Sequence, residues 1–200
     1  MEKILKVGVD EVGRGPLAGP VVSAAVAITT KIEGIKDSKK LSPKKRLSLF
    51  YEIINKAVSV GVGVATVEEI DKLNILNATL LSMKRALESF EISLKNKESG
   101  SYSIFVLVDG NKKINDIPFK QKTVVSGDSF IYEISCASIV AKVYRDWIMD
   151  SLADVFPHYG FEKNKGYGTK EHFKAIETHG KTPIHREKFL RKLYSEKLFG

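Results

Sequence analysis

Three apolar segments of this chain lead into acidic residues, and this pattern constrains the fold more than any other feature of the sequence. The segments are 4–9, 104–108 and 122–125, and the acidic residues that follow them are Asp10, Glu11, Asp109 and Asp128. When strands lie side by side, residues just beyond their ends share one edge of the sheet. The pattern therefore predicts a sheet with four acidic side chains collected at one edge.

Strands and helices alternate along the sequence. Strand-like segments occupy 4–10, 21–28, 58–66, 104–108 and 122–125. Apolar residues at helical spacing predict helices over 43–57, 67–94, 129–156, 169–179 and 186–197. This order predicts an α/β fold whose first three strands form an antiparallel meander and whose C-terminal helices extend the same folding unit. Valine alternates with glycine or alanine in 58–66, which indicates a strand packed closely against another backbone.

Four carboxylates so close together would resist ionisation unless a cation lay between them. Mg²⁺ or Mn²⁺ suits them, because both ions prefer oxygen ligands and the sequence offers no cysteine or histidine cluster for zinc. Two such ions about 4 Å apart stabilise the attacking and leaving oxygens of phosphodiester hydrolysis. Single residues allow other interpretations: Asp128 could cap the helix that follows it, and Asp109 could belong only to a turn with Gly110.

The chain carries 32 lysines and arginines against 24 aspartates and glutamates, a net charge of +8. This excess suits a polyanionic partner, because neutralised phosphates release counterions, although a basic surface can also serve solubility alone. Combined with the acidic residues, it favours a nuclease. An actin-like or sugar-kinase-like ATPase would need a nucleotide-site motif that the sequence does not display. A non-catalytic nucleic-acid-binding protein would not need the acidic residues.

The cellular compartment is constrained by three features. Cys136 is the only cysteine, so the chain can form no internal disulfide. The N-terminal segment reaches Asp10 too early for the apolar core of a signal peptide. The longest mostly apolar stretch, 16–28, contains two prolines and is too short to span a bilayer. We therefore expect a cytoplasmic protein that does not associate with a membrane.

Seven short blocks of the sequence occur in the same order in one known family. They are VGVDEVGRGPLAGPVV (7–22), DSKKLS (37–42), VDGN (108–111), GD (127–128), ISCASIVAKV with the following RD (134–146), GYGTKEH (166–172) and TPIHR (182–186). This series resembles the ribonuclease HII family. Because the blocks cover nearly the whole chain, the resemblance does not depend on a single glycine-rich turn.

The resemblance implies a ribonuclease H-like fold with a central mixed five-stranded sheet flanked by helices. It implies a catalytic domain over 1–156 and a C-terminal helical extension over 157–200 that contributes to substrate binding. The implied activity is that of a monomeric endonuclease, which hydrolyses the RNA strand of RNA–DNA hybrids and incises 5′ to single ribonucleotides in duplex DNA. The implied cofactor is Mg²⁺ or Mn²⁺, with two ions during catalysis.

The resemblance also assigns residues to the site. The family's four catalytic, metal-binding acidic residues correspond to Asp10, Glu11, Asp109 and Asp128. Asp10 and Asp109 are predicted to share the ions, and Glu11 and Asp128 to complete one coordination shell each.

Substrate recognition is assigned to a Gly-Arg-Gly element and a tyrosine, which correspond to Gly13, Arg14, Gly15 and Tyr167. Only the 2′-hydroxyl distinguishes ribose from deoxyribose at a given position, and glycines let backbone groups approach the sugar closely. Tyr167 is predicted to form a hydrogen bond through its hydroxyl and to pack its ring against the neighbouring deoxyribose. The alternative for Tyr167 is a buried core aromatic.

Contacts with backbone phosphates are predicted for Lys39 and Lys40, although exposed lysine pairs are usually only solvated. Ser126 stands where the family commonly has lysine, so one phosphate contact is expected to be weaker.

Other polar residues receive no catalytic role. Structural ion pairs are predicted for Lys142, Arg145 and Asp146. A basic substrate-facing surface, and no zinc site, is predicted for His172, His179 and His185. Cys136 replaces the usual alanine and is predicted to be a conservative core change.

Overall fold

The computed structural model of the protein describes residues 3–35, 41–97 and 102–191. The strands are β1 (Lys3–Val12), β2 (Val21–Ala27), β3 (Ser59–Ala65), β4 (Tyr102–Asp109) and β5 (Lys120–Val124). The helices are α1 (Pro43–Lys56), α2 (Val67–Leu73), α3 (Ile75–Lys97), α4 (Tyr132–Val155), α5 (Phe161–Asn164) and α6 (Lys170–His179). Among the helices of these ranges, none combines the length and the hydrophobicity needed to cross a membrane.

The five strands form one mixed sheet in the order β3-β2-β1-β4-β5. β2 pairs antiparallel with both β1 and β3, whereas β4 pairs parallel with both β1 and β5. The predicted meander and the predicted five-stranded mixed sheet are therefore confirmed. Every residue of β2 is buried, as expected for an apolar strand that is covered on both faces.

α3 covers one face of the sheet and lies directly on the backbone of β3. A Cβ on Gly61 would lie 2.1 Å from the backbone nitrogen of Phe90, and one on Gly63 would lie 2.1 Å from the carbonyl oxygen of Ser82. Only glycine permits so close an approach. The predicted packing of segment 58–66 against another backbone is confirmed.

α4 covers the opposite face and crosses β1 at its centre. A Cβ on Gly8 would lie 2.1 Å from the carbonyl carbon of Glu133, so the first turn of α4 contacts the backbone of β1. Cys136 on α4 is fully buried in the cluster that contains Ala24 and Leu49, which confirms its predicted place in the core. Burial raises the pKa of the Cys136 thiol to about 12, so the thiol stays neutral.

Two predicted helix boundaries were wrong. The helix predicted over 67–94 is divided at Asn74, whose φ of 72° ends α2. The Asn74 side chain accepts hydrogen bonds from the backbone nitrogens of Leu76 and Asn77, so a local polar interaction outweighs the continuous apolar spacing. The helix predicted from residue 129 begins at Tyr132, because Gly127–Ser129 forms a separate 3₁₀ turn.

The C-terminal segment packs on the loop between β1 and β2. Leu17 and Ala18 of that loop share an apolar cluster with Phe161 and Ile176. The backbone nitrogen of Arg186 donates to the carbonyl oxygen of Leu17 (2.8 Å). Helical residues continue from 187 to 191, and the remainder of the helix predicted over 186–197 lies outside the described ranges. The domain boundary at 156 stays a prediction.

Candidate active site

Two parallel strands bring three carboxylates together. Val9 of β1 pairs with Val108 of β4, so the residues that follow them reach the same edge of the sheet. Carboxylate oxygens of Asp10, Glu11 and Asp109 lie within 4.8 Å of one another. Asp10 is only 5% exposed. The predicted convergence of these three side chains is therefore present in the structure.

Asp128 lies near Asp109, in the 3₁₀ turn that follows β5, and is not among the three carboxylates within 4.8 Å of one another. The backbone nitrogen of Gly127 donates to the Asp109 carboxylate (2.7 Å), which fastens this turn to the end of β4. The helix cap predicted as an alternative for Asp128 is wrong, because α4 begins after Ile131 without a side-chain cap. Gly110, with φ 93°, turns the chain directly after Asp109. Asp109 therefore precedes a turn and also contributes its carboxylate to the group formed with Asp10 and Glu11. We call Asp10, Glu11, Asp109 and Asp128 the acidic cluster.

The electrostatics of the acidic cluster favour a bound cation. Burial, followed by repulsion from Glu11 and Asp109, raises the pKa of Asp10 well above its ordinary value. Burial also raises the pKa of Glu11, against the opposing effect of Arg14. The pKa of Asp109 is raised by burial and by Asp128. A divalent cation among these oxygens would offset both the burial and the repulsion.

The Gly-Arg-Gly loop, residues 13–15, follows β1 and lies next to the acidic cluster. Gly13 has φ 97°, and a Cβ there would lie 2.2 Å from the side-chain Nε of Arg145, so only glycine fits. The Arg14 side chain is half exposed, and its guanidinium lies 3.4 Å from the Glu11 carboxylate. This loop therefore presents backbone groups and one cation beside the carboxylates.

Tyr167 lies against the same loop, although it is distant in sequence. Its ring carbon Cε1 is 3.6 Å from the position that a Cβ on Gly15 would take. The side chain is 46% exposed, so the alternative of a buried core aromatic is wrong. The structure thus places the tyrosine against the Gly-Arg-Gly loop, which itself contacts the acidic cluster through Arg14 and Glu11.

The phosphate contacts predicted for Lys39, Lys40 and Ser126 stay predictions. Lys39 and Lys40 lie outside the described residues, and their role stays a prediction. Ser126 adopts a left-handed conformation with φ 57° just before the turn that carries Asp128. The weaker phosphate contact expected at Ser126 also stays a prediction.

Comparison with known proteins identifies the family. The family model described as "Ribonuclease HII" matches residues 7–195. The chain belongs to the ribonuclease HII family. A ribonuclease HII of Fusobacterium nucleatum subsp. nucleatum is 54% identical over 191 residues, covering 94% of this chain and 86% of that relative.

Solved structures support the same assignment. The ribonuclease H2 of Pyrococcus horikoshii has a TM-score of 0.68 at 27% identity, over 92% of this chain and 93% of its own. The ribonuclease HII of Archaeoglobus fulgidus, solved in a complex with PCNA, has a TM-score of 0.69 at 25% identity, over 92% and 94%. The predicted ribonuclease H-like fold is confirmed, and the chain is an endoribonuclease of a family that cleaves RNA in RNA–DNA hybrids. The ATPase and the non-catalytic binding protein are excluded.

Two buried arginines hold the loop between β1 and β2. Arg145 and Arg186 are both fully buried. The carbonyl oxygens bound by Arg145 belong to Ala18 (3.2 Å), Pro20 (3.0 Å) and Lys165 (2.9 Å). Those bound by Arg186 belong to Gly13 (2.6 Å), Arg14 (3.0 Å), Gly19 (2.7 Å) and Pro20 (3.3 Å). Both guanidinium groups therefore set the backbone conformation of the β1–β2 loop.

The contacts of the two arginines correct the predicted ion-pair role of Arg145 and reveal a role of Arg186 that was not predicted. The ion-pair role is confirmed for Lys142 and Asp146, whose charged groups lie 2.5 Å apart, with Arg46 3.7 Å from the same carboxylate. It is wrong for Arg145, which binds carbonyl groups instead. The role of Arg186 was missed, because nothing in a sequence marks an arginine as buried. Its position within the TPIHR block was the only available signal.

Two of the three histidines are also buried, which contradicts their assignment to a substrate-facing surface. His172 and His185 are at most 3% exposed, and their Nε2 atoms lie 3.0 Å apart. The rings of Tyr159 and Phe161 pack around them. His179 is exposed, and its ring stacks on that of His158 at 4.4 Å.

We expect acidification to destabilise the protein through His185. Burial, followed by repulsion from His172, lowers the pKa of His185 to about 4, against an ordinary value of 6.5. Between these values the unfolded chain binds a proton that the folded chain does not. The stabilisation is therefore complete above pH 6.5 and is lost as the pH falls towards 4, by about 2 kcal/mol at pH 5.

The measurement compares urea unfolding of the wild type and His185→Asn at pH 7 and pH 5. Asparagine keeps an acceptor for the Thr182 backbone nitrogen, 2.9 Å from His185 Nδ1, but does not titrate. The carboxylates and His172 titrate in both proteins, so the difference reports His185 together with its interaction with His172. Equal losses of unfolding free energy in the two proteins would contradict the assignment.

Proposed function

We propose that the protein incises duplex DNA on the 5′ side of a single embedded ribonucleotide, besides hydrolysing the RNA strand of RNA–DNA hybrids. The products are a 3′-hydroxyl and a 5′-phosphate. One observation carries the proposal: the acidic cluster lies beside a surface on which Tyr167 meets the backbone of Gly15. A cleavage site and a surface suited to reading one sugar are thus adjacent.

The donor set fits Mg²⁺ or Mn²⁺. Three carboxylates within 4.8 Å offer only oxygen ligands, and burial makes their charges costly without a cation. Asp10 and Asp109 would share two ions, while Glu11 and Asp128 would each complete the ligands of one. When bound, the ions supply charge stabilisation for the attacking and leaving oxygens of the phosphodiester.

The chain's own residues orient the substrate. The backbone of residues 13–15 can approach the 2′-hydroxyl closely, because two of its three residues have no side chain. Tyr167 offers an exposed ring to the neighbouring deoxyribose and a hydroxyl to the sugar-phosphate backbone. Arg14 and the lysines Lys39 and Lys40 bring positive charge to the phosphates. Phosphate contacts fix the register of the duplex, and the sugar contact selects the site of cleavage.

The proposed setting follows from these features. The net charge of +8 suits a duplex substrate, and the protein acts on it as a monomer, away from membranes. A cytoplasmic location suits Cys136, a buried thiol that takes no part in a disulfide. The biological role is then the excision repair of ribonucleotides in DNA.

The test uses three matched duplexes: all DNA, DNA with one ribonucleotide, and an RNA–DNA hybrid. With Mg²⁺ or Mn²⁺ we expect cleavage of the second and third only, with a single cut 5′ to the ribonucleotide. A chelator should abolish cleavage of both, because the acidic cluster without a cation gives no charge stabilisation. Cleavage of the all-DNA duplex at an equal rate, or activity that survives the chelator, would refute the proposal.

A further inference from the structure

We propose that His172 and His185 are positioning residues, which hold Tyr167 against the Gly-Arg-Gly loop through a relay of buried hydrogen bonds. The proposal rests on the recognition role given to Tyr167 above. It adds a specificity determinant that lies outside the acidic cluster and does not itself contact substrate.

The relay begins at Thr182 and ends at Tyr167. The backbone nitrogen of Thr182 lies 2.9 Å from Nδ1 of His185. Nε2 of His185 lies 3.0 Å from Nε2 of His172. Nδ1 of His172 lies 2.8 Å from the carbonyl oxygen of Tyr167. All four ring nitrogens are therefore engaged in one path between two segments of the chain. At its ends, the Thr182 hydroxyl also lies 2.8 Å from Nδ1 of His185, and the backbone nitrogen of Thr169 also donates to the Tyr167 carbonyl oxygen (2.9 Å).

The direction of the protons follows from the two ends. A backbone N–H can only donate, so Nδ1 of His185 accepts and its proton is on Nε2. That proton is donated to Nε2 of His172, which leaves the His172 proton on Nδ1, where it is donated to the Tyr167 carbonyl. Both rings are then neutral, in agreement with the lowering of the pKa of each by burial.

The surroundings make the relay rigid. His172 and His185 are sealed from solvent by the rings of Tyr159 and Phe161, whose centroids lie 5.2–6.4 Å from theirs. A broken hydrogen bond in such an apolar environment leaves polar atoms without water to replace the partner. The two buried histidines therefore favour the one backbone conformation at Tyr167 that keeps their hydrogen bonds intact.

The segment of residues 182–186, which starts the relay, also contacts the Gly-Arg-Gly loop on the other side of Tyr167. Arg186, next to His185 in sequence, donates to the carbonyl oxygens of Gly13 and Arg14. Residues 182–186 thus fix the Gly-Arg-Gly loop through an arginine and Tyr167 through two histidines. Their joint effect is to set the distance between the loop backbone and the tyrosine ring, the spacing that a deoxyribose next to the ribonucleotide would sense.

The experiment compares two polar replacements of His172. One keeps the hydrogen bond to the Tyr167 carbonyl, and the other keeps the contact with His185. In His172→Asn the side-chain amide takes the place of Nδ1 and can still donate to the Tyr167 carbonyl. In His172→Gln the amide takes the place of Nε2 and keeps only the contact with His185. We measure kcat/KM on the duplex with one ribonucleotide, in the wild-type and in the Tyr167→Ala background, together with Tm.

We expect His172→Gln to lower kcat/KM by about tenfold, the size of effect of one hydrogen bond, and His172→Asn to stay within about threefold of wild type. Tyr167→Ala alone should lower kcat/KM by at least about tenfold. In the Tyr167→Ala background, His172→Gln should have no further effect, because the tyrosine side chain that the relay positions is gone. His158→Gln, on an exposed histidine outside the relay, is the matched control and should behave as wild type in both backgrounds.

Each outcome decides between specific claims. If His172→Gln lowers kcat/KM by the same factor in both backgrounds, its effect is general destabilisation and the relay is refuted. If Tyr167→Ala is as active as wild type, the recognition role and the relay both fail. A wild type that does not cut the duplex refutes the proposed function instead. His185→Asn, which breaks the relay one link further from Tyr167, provides the same comparison if His172→Gln is too unstable to assay.

Discussion

Asp109→Asn is expected to lower cleavage of an RNA–DNA hybrid by at least about 10³-fold while leaving hybrid binding nearly intact. Asp109 joins the cluster from β4, opposite Asp10 and Glu11 on β1, so its charge is central to any cation held there. Loss of several kcal/mol of charge stabilisation corresponds to a rate change of this size. Binding changes little because most contacts with a duplex are made to phosphates. Single-turnover cleavage and equilibrium binding of the same labelled hybrid measure the two effects.

Stability distinguishes loss of chemistry from loss of folding. The asparagine oxygen can still accept the hydrogen bond from the Gly127 backbone nitrogen. Burial and Asp128 raise the pKa of Asp109, so its charge destabilises the metal-free fold at neutral pH, and Asp109→Asn should unfold in chelator at the same Tm or higher. Asp154→Asn, on an exposed residue near the far end of α4, is the matched control for loss of one charge. Wild-type turnover by Asp109→Asn would remove Asp109 from the site.

Arg186→Met is expected to destabilise the protein by about 4 kcal/mol, a decrease of about 8–16 °C in Tm for a chain of this size. The fully buried guanidinium donates to four carbonyl oxygens of the β1–β2 loop, and methionine fills part of the space without replacing any donor. Burial, followed by repulsion from Arg145, lowers the pKa of Arg186 to about 9, which still leaves a cation at neutral pH. Urea and thermal unfolding measure the loss.

The control for Arg186→Met is Arg191→Met, because the Arg191 side chain is 80% exposed and its one ion pair within the described residues is a 3.7 Å contact with Glu187. A surface substitution of this kind changes stability by no more than about 0.5 kcal/mol. Arg186→Lys should fall between the two, since a single ammonium cannot reach all the carbonyl groups that the guanidinium binds. An Arg186→Met protein as stable as Arg191→Met would show that the loop does not depend on this side chain.

The acidic cluster was predictable from sequence because strand ends obey simple rules. Asp10 and Glu11 follow an apolar strand, Asp109 follows another, and parallel pairing of Val9 with Val108 aligns their ends. The close packing of β3 was equally visible in its alternating glycines. In both cases the signal for each residue comes from its immediate neighbours in the chain.

The buried polar residues were not predictable in this way. Arginine is rarely buried, so Arg145 and Arg186 gave no sequence signal of the carbonyl groups that surround them. His172 and His185 meet only because α6 and the segment after it fold back on each other, a contact that no periodicity encodes. Asn74 divides a helix through its own side-chain hydrogen bonds, although the apolar spacing continues across it. In each case a tertiary or local polar interaction outweighs the pattern.

Direct backbone contact between the sheet and both helical layers has a consequence for protein engineering. At Gly8, Gly61 and Gly63 no side chain separates the strand from the helix. The distance between the sheet and each helix is therefore set by backbone contact and does not change when neighbouring side chains are replaced. Redesign of apolar residues elsewhere in these layers, for heat tolerance for example, should leave the carboxylates at the end of β1 in register with the Asp109 carboxylate of β4. The three glycines themselves are the positions that such redesign must leave untouched.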